Sequence, residues 1–259
     1  MAPFNLLRLP TLIISEVIRS MNALELVGLS ETSKKSQILV KTLLKNSQFH
    51  MRICEHPAAI AVCINSKTSQ SRFELRHNLD LAFLRIKFFL DIFNVTTAGL
   101  LFCNPTEKSI RDTLSLLVPI NPKFISLSIS EMESMSESLF EYLLSIKACR
   151  FIVKLNSFHE LTPSNSNLLL DCVYVKLRNL AFPDQKMIEV LKTWKLGCNL
   201  KSLEMFSSDY TCDFNELVKG LDTQIIDADS ELKCQIEQAN GRIGLLTFEI
   251  WGHLHLKVI

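Results

Sequence analysis

Glycine and proline are scarce in this chain. Seven glycines and eight prolines among 259 residues leave little material for long flexible linkers. Charge of one sign is lacking too. Lys plus Arg number 28 and Asp plus Glu 27, a net charge of about +1, which argues against a broad electrostatic surface for nucleic acid. Long apolar runs are missing. Lys, Arg, Asp or Glu interrupts every one of them well short of the roughly 20 residues that cross a bilayer. The opening stretch does not fit a secretory signal either, because Arg8 and Pro10 break it and Glu16 and Arg19 follow closely. A soluble, intracellular protein, cytoplasmic or nuclear, is expected, with no membrane and no nucleic acid as partner.

Catalytic and metal motifs are also missing. There is no Walker lysine loop, G-x-G-x-x-G, H-E-x-x-H or G-x-S-x-G. Eight cysteines are scattered, and no two form a C-x-x-C pair. They read as reduced and mostly buried thiols. His253 and His255 would share a face of a terminal strand. No third ligand stands near them, so they read as an exposed strand face and not as a metal site. Cys54 beside His50 or His56, the pair His159-Glu160, and the Asn94-Val95-Thr96 sequon read as incidental. No cofactor, metal or catalytic residue is expected.

What the chain does have is an apolar opening, FNLLRLPTLIISEVIRSMNALELVGLSETSKK, Phe4 to Lys35. Pro10 suits a helix start. After it, Ile13, Ile14, Val17, Ile18 and Met21 recur at helical spacing. Asn22 caps or breaks the chain before a second short segment with Leu24, Leu26, Val27 and Leu29, which Gly28 weakens as a helix. Ser30 to Ser33 reads as a polar turn. A third helix follows, about 34 to 46, with Ile38, Leu39, Thr42 and Leu43 on one face. Three short helices in fewer than about 50 residues are marginal alone, so part of this surface is expected to have a partner.

Beyond residue 48 the pattern alternates between strand and helix. Residues 58–64 and 71–76 read as a hairpin across Ser66-Lys67-Thr68-Ser69. Residues 79–93 read as a helix with Leu81, Leu84, Phe88 and Ile92 facing the core. A strand at 97–103 precedes a helix capped by Thr106 and aided by Glu107, running to about Leu117. A clean period of two then appears in FISLSIS (Ile125, Leu127, Ile129), RFIVKL (Phe151, Val153, Leu155), VYVKLRN (Val173, Val175, Leu177) and LKSLEMF (Leu203, Met205). Helices fit at 136–146, 184–194 and 214–221, and a closing hairpin fits at 243–258 with Gly252 at its turn. The strands recur every 22 to 28 residues or so, in the range of leucine-rich repeats, without the exact motif or its asparagine ladder. The fold class is therefore read as α+β with an α/β-like C-terminal part: a small helical domain, 1–47, then an irregular leucine-rich-repeat-like strand/helix array, 48–259.

The opening resembles an F-box. The matching elements are Leu9-Pro10, Ile14, Val17-Ile18, Met21, Leu24, Leu29-Ser30 and Ser33-Lys34. The start F-x-L-L-R-L-P is similar to the F-box proteins expanded in nematodes. The pattern departs from the commonest form near Lys35 and Ser36, where many members place tryptophan. Residues 168–206 resemble the F-box-associated type 2 region of the same proteins, through the strand Val173 to Leu177, Leu191-Lys192-Thr193-Trp194-Lys195, Gly197, Asn199 and Leu200-Lys201-Ser202-Leu203-Glu204.

These resemblances imply a non-catalytic subunit of a Skp–cullin–F-box ubiquitin ligase. The opening would dock a Skp-type adaptor, and through it a cullin–RING ligase, by way of Leu9, Pro10, Ile14, Val17, Ile18, Leu24 and Leu29. The C-terminal domain would hold an unknown protein substrate, with Tyr174, Lys176 and Arg178 as candidate contacts. Two other readings stay open: a leucine-rich-repeat-like interaction module without a ligase role, and an enzyme whose site is assembled from distant loops.

Overall fold

The computed structural model describes residues 10–66, 70–76, 78–95, 97–120, 123–207, 209, 213–221, 223, 225–226, 231–249 and 252–259. Leu9 and the turn residues Lys67, Thr68 and Ser69 lie outside them. The chain divides into two compact units, residues 1–99 with 112–123, and residues 100–111 with 124–259.

The first unit begins with three helices, α1 (Thr11–Ser20), α2 (Ala23–Thr32) and α3 (Lys34–Leu44). Two hairpins follow, built from β1 (His50–His56), β2 (Ala59–Asn65) and β3 (Gln70–Arg76), then α4 (Leu79–Ile92) and the first residues of β4 (Thr97–Cys103). β1, β2 and β3 pair antiparallel. The hairpin expected across residues 66–69 is present. β1 is absent from the sequence reading because its inward positions are Met51, Ile53 and Glu55, and the buried carboxylate breaks the apolar alternation. The core face of α4 differs from the expected one. Ala82, Ile86, Phe89 and Ile92 are buried, whereas Leu81 and Leu84 are exposed. Both sets have helical spacing, and in a helix apolar on nearly every side periodicity does not choose the face.

The second unit is a strand–helix array. It holds β5 (Lys123–Met132), α6 (Glu137–Ser145), β6 (Arg150–Glu160), a 3-10 turn (Ser166–Asp171), β7 (Tyr174–Ala181), α7 (Asp184–Lys195) and β8 (Ser202–Phe206). α8 (Phe214–Gly220), β9 (Ile225–Ile226), β10 (Glu231–Glu237), β11 (Ile243–Glu249) and β12 (His253–Val258) complete it. The start of α5 (Glu107–Leu117) also belongs here. β5, β6, β7 and β8 are parallel in that order. β12, β11, β10 and β9 continue the sheet antiparallel.

Period-two alternation makes the core. Leu127, Phe151, Val175, Leu203 and Leu256 stand in register across five strands, and all are buried. The rings of Phe140, on α6, and Phe151 meet at 5.7 Å, so the helix covers this inward face. Trp194 on α7 is fully buried, and its Nε1 donates to the Leu200 carbonyl at 3.0 Å.

Two features repeat along the array. The backbone enters the left-handed region after the apolar segments of β4, β5 and β7, at Asn104, Glu131 and Asn179, with φ of 50°, 63° and 56°. Asparagine amides also join successive strands: Asn156 Nδ2 donates to the Glu131 carbonyl at 3.1 Å, and Asn179 Nδ2 to the Leu155 carbonyl at 2.9 Å. These two bonds link neighbouring strands locally and do not form a regular ladder. Asn156 and Asn179 stand at different offsets from their apolar positions, so no regular motif marks them.

None of the seven described cysteines is in a disulfide; Cys63, Cys172 and Cys234 are buried and the others half-buried. Burial pushes the Cys172 thiol up to about 12 and that of Cys234 up to about 11, which leaves both unreactive. Among the described residues, no helix is long and apolar enough to cross a membrane.

Candidate functional site

The helices at the start of the chain owe their boundaries to local chemistry. Pro10 precedes α1 with extended backbone, and its carbonyl accepts from Ile14 N at 3.1 Å. Proline is tolerated here because the first N–H groups of a helix have no intrahelical acceptor. Asn22 caps α2 through a reciprocal pair: Glu25 N donates to Asn22 Oδ1 at 3.0 Å, and Asn22 N donates to Glu25 Oε2 at 2.8 Å. Ser33 alone separates α2 from α3, and its hydroxyl accepts from Ser36 N at 3.1 Å. The polar turn expected at 30–33 is therefore mostly helix, with Ser30 buried and donating to the Leu26 carbonyl.

The residues expected to dock an adaptor separate into two groups. Ile14 and Ile18 are buried among the helices, with Ala23, Leu26, Val27, Val40 and Leu44. Pro10 and Leu24 are exposed, and Val17 and Leu29 are half-buried. Leu9 lies outside the described residues. On α3 the face expected inside is mostly outside: Val40 and Leu44 are buried, Leu39 and Leu43 half-buried, and Ile38 and Thr42 exposed.

Four large apolar side chains on these helices face solvent: Leu12 at 74%, Ile13 at 47%, Leu24 at 52% and Ile38 at 65% exposure. The sequence reading assigned Leu24 to docking and missed the other three. A signal existed for two of them. Leu12, Ile13 and Ile14 are consecutive, and at about 100° per residue such a run spans roughly 200° of a helix, too wide for one buried stripe.

The second candidate region is the sheet face opposite the core. Tyr174, Lys176 and Arg178 alternate with buried Val175 and Leu177, so all three lie on this face. The structure brings Tyr174 and Lys176 together on Glu204 of the next strand: Tyr174 Oη donates to its Oε1 at 3.1 Å, and Lys176 Nζ lies 2.7 Å from its Oε2. Arg178 instead lies over the Phe206 ring at 5.4 Å, and Arg150 lies over Tyr174 at 5.1 Å. His253 and His255 stack at 6.0 Å beside them.

The electrostatics of this cluster are those of an ion-pair network. The hydrogen bond to Glu204 holds the Lys176 ammonium above its ordinary value. Burial pushes the Glu204 carboxyl up, but Lys176 and Tyr174 outweigh it and leave it low. Burial, then the Glu204 charge, push the Tyr174 phenol up, and burial pushes the His255 imidazole down against the pull of Glu204. A general base tuned toward neutrality would show a lowered lysine or a raised carboxylate, and neither is found here.

A groove of about 580 Å³ between the opening helices and residues 46–49 has, among the described residues, Arg19 as its one ionisable lining residue. Among the described residues, no three of His, Cys, Asp and Glu gather as a metal site would need.

Comparison with curated proteins gives no match. Residues 6–48, which include the two capped helices and the exposed Leu12, Ile13, Leu24 and Ile38, match the F-box domain.

Proposed function

We propose that this protein is the substrate receptor of a Skp–cullin–F-box ubiquitin ligase. The observation that carries the reading is the F-box at residues 6–48, an element that binds Skp-type adaptors in cullin–RING ligases. Leu12, Ile13, Leu24 and Ile38 supply the apolar contact, with Leu9, Pro10, Val17 and Leu29 beside them. Ile14 and Ile18 hold the helices together and contribute through shape. Full burial of such a side chain is worth about 1.5–3 kcal/mol before the costs of association. The protein breaks no bond itself. It raises the effective concentration of a target near the transfer machinery.

The target-binding part is assigned to residues 48–259. Parallel strands in register, connecting helices and the asparagine bonds support a leucine-rich-repeat-like array there. Residues 168–206, which hold β7, α7 and β8, carry the likeness to the F-box-associated type 2 region of the nematode proteins.

The test is co-purification of the full chain with a Skp-type adaptor. The companion variants are Leu9→Ala/Pro10→Ala and Leu24→Asp/Ile38→Asp, each checked for folding by circular dichroism. Stoichiometric recovery is expected with the wild type and loss with both folded variants. Absence of recovery from the folded wild-type chain would sink the reading. It would leave an interaction module without a ligase role. The side-chain links of Glu31 to Arg85 and Lys41 to Asp91 favour that second reading, since they tie α2 and α3 to α4 as a cap would be tied.

A further inference from the structure

We propose that the outer sheet face around β6, β7, β8 and β12 binds an acidic segment of a partner protein. This deepens the receptor reading and rests on it for the fate of the bound chain, not for the binding itself.

The argument starts from register. Lys154 and Arg178 stand directly opposite each other on parallel neighbours β6 and β7. Adjacent strands are about 4.8 Å apart, so this register sets two cationic residues side by side on one face. Four residues further back, Arg150 pairs with Tyr174 and Tyr174 with Ser202, and Ser202 pairs with Lys257. The face thus carries Arg150, Lys154, Arg178 and Lys257 on three strands. Among the described residues no carboxylate forms an ion pair with any of these four. The acid at the centre, Glu204, is already taken by Lys176 and Tyr174, and Glu249 at the edge lies 3.3 Å from His253. Among the described residues these four cations thus have no ion-pair partner, and a carboxylate from outside would supply one.

Geometry adds to charge. The guanidinium groups of Arg150 and Arg178 lie over the Tyr174 and Phe206 rings. A guanidinium held over a ring spends no N–H donor on that contact and can still take a carboxylate in paired hydrogen bonds. The rings also offer apolar contact to side chains between the acids. A peptide segment fits these features better than nucleic acid does. The net charge of the whole chain is about +1, and two carboxylates lie within the patch, where a phosphate backbone would meet them.

The test uses the full chain and fluorescence anisotropy. The probe is a fluorescein-labelled peptide alternating glutamate with serine around one central tyrosine. Binding is expected at low salt, weakening at high salt. Lys154→Glu/Arg178→Glu is expected to weaken it about tenfold or more and to gain binding of the matching lysine–serine peptide. All these positions are surface ones, and circular dichroism checks the fold. The inference is overturned if the glutamate peptide fails to bind the wild type, or if the double variant binds it equally. It is also overturned if a phosphoserine peptide binds in its place, or if a single-stranded RNA oligonucleotide is preferred. Adaptor co-purification of the same variant is expected to be unchanged. A failure of the docking helices and a failure of this face therefore give different results.

Discussion

A Cβ added at Gly244 would lie 2.6 Å from Trp194 Cη2 and 3.0 Å from Leu256 Cδ1. Trp194 cannot retreat, because it is fully buried and its Nε1 is committed to the Leu200 carbonyl. Gly244→Ala is therefore expected to cost about 1–3 kcal/mol by overpacking, read as a lower urea midpoint. Combining it with Trp194→Phe should cost less than the sum of the two changes, since the smaller ring vacates the contested space; strict additivity would refute the contact. Asn179 joins two effects that substitutions can separate. Its φ of 56° disfavours other L-residues, and its amide bonds the Leu155 carbonyl. Asn179→Gly should lose only the hydrogen bond, about 1 kcal/mol. Asn179→Ala should lose about 1 kcal/mol more, through backbone strain. Equal losses in chemical denaturation would mean that the left-handed backbone carries no cost there.

Three helices of the array, α5, α6 and α7, open on an acid that serves the next segment. Glu107, first in α5, accepts from Ser136 N and Oγ at 2.5 and 2.9 Å, and Ser136 in turn caps α6. Glu137, first in α6, accepts from Thr162 N and Oγ1 at 2.8 and 2.6 Å. Asp184, first in α7, accepts from Asp213 N at 3.0 Å, and Asp213 caps α8. The Thr162 hydroxyl and backbone bonds hold the Glu137 carboxyl below its ordinary value, as Ser164 and Asn165 do for Glu141. A depressed carboxylate lends stability above its unfolded-state value, and that contribution disappears as pH falls through the folded one. Glu137→Gln should therefore be less stable than the wild type at neutral pH and indistinguishable from it well below the carboxylate range. A deficit that persists in acid would show that the charge is irrelevant. Sequence alone made these elements largely legible: Thr106-Glu107 and the alternations around Leu127, Phe151, Val175 and Leu203 mark caps and strands directly. The acid-to-next-cap bonds were not legible, because they join residues 23 to 29 apart in sequence, whose approach depends on strand register. The faces of α3 and α4 were misread for another reason. Where apolar residues occur all round a helix, the neighbouring elements decide which side is buried.

At the scale of the whole molecule, the F-box helices and the hairpins after them belong to one compact unit. The candidate site was legible in part for the same reason. Leu9-Pro10 and the leucines of the opening carry the resemblance to an F-box, whose match covers residues 6–48. Whether Ile14 or Ile13 faces outward depends on α2 and α3, and the charge of the outer sheet face depends on which strands become neighbours. The apolar core of residues 10–48 is small, consisting chiefly of Ile14, Ile18, Leu26, Val27, Val40 and Leu44. It is supplemented by Glu31–Arg85 and Lys41–Asp91, which are exposed pairs worth about 1 kcal/mol each at most. A fragment of residues 1–48 alone therefore lacks both the α4 neighbour and any adaptor to cover Leu12, Ile13, Leu24 and Ile38. It is expected to show reduced helical circular dichroism and a broad, non-cooperative melt, both restored by adding a Skp-type adaptor, because folding and binding are then one equilibrium. A sharp melt of the fragment by itself would mean instead that the three helices are self-sufficient, and that the exposed leucines and isoleucines are not needed for their order.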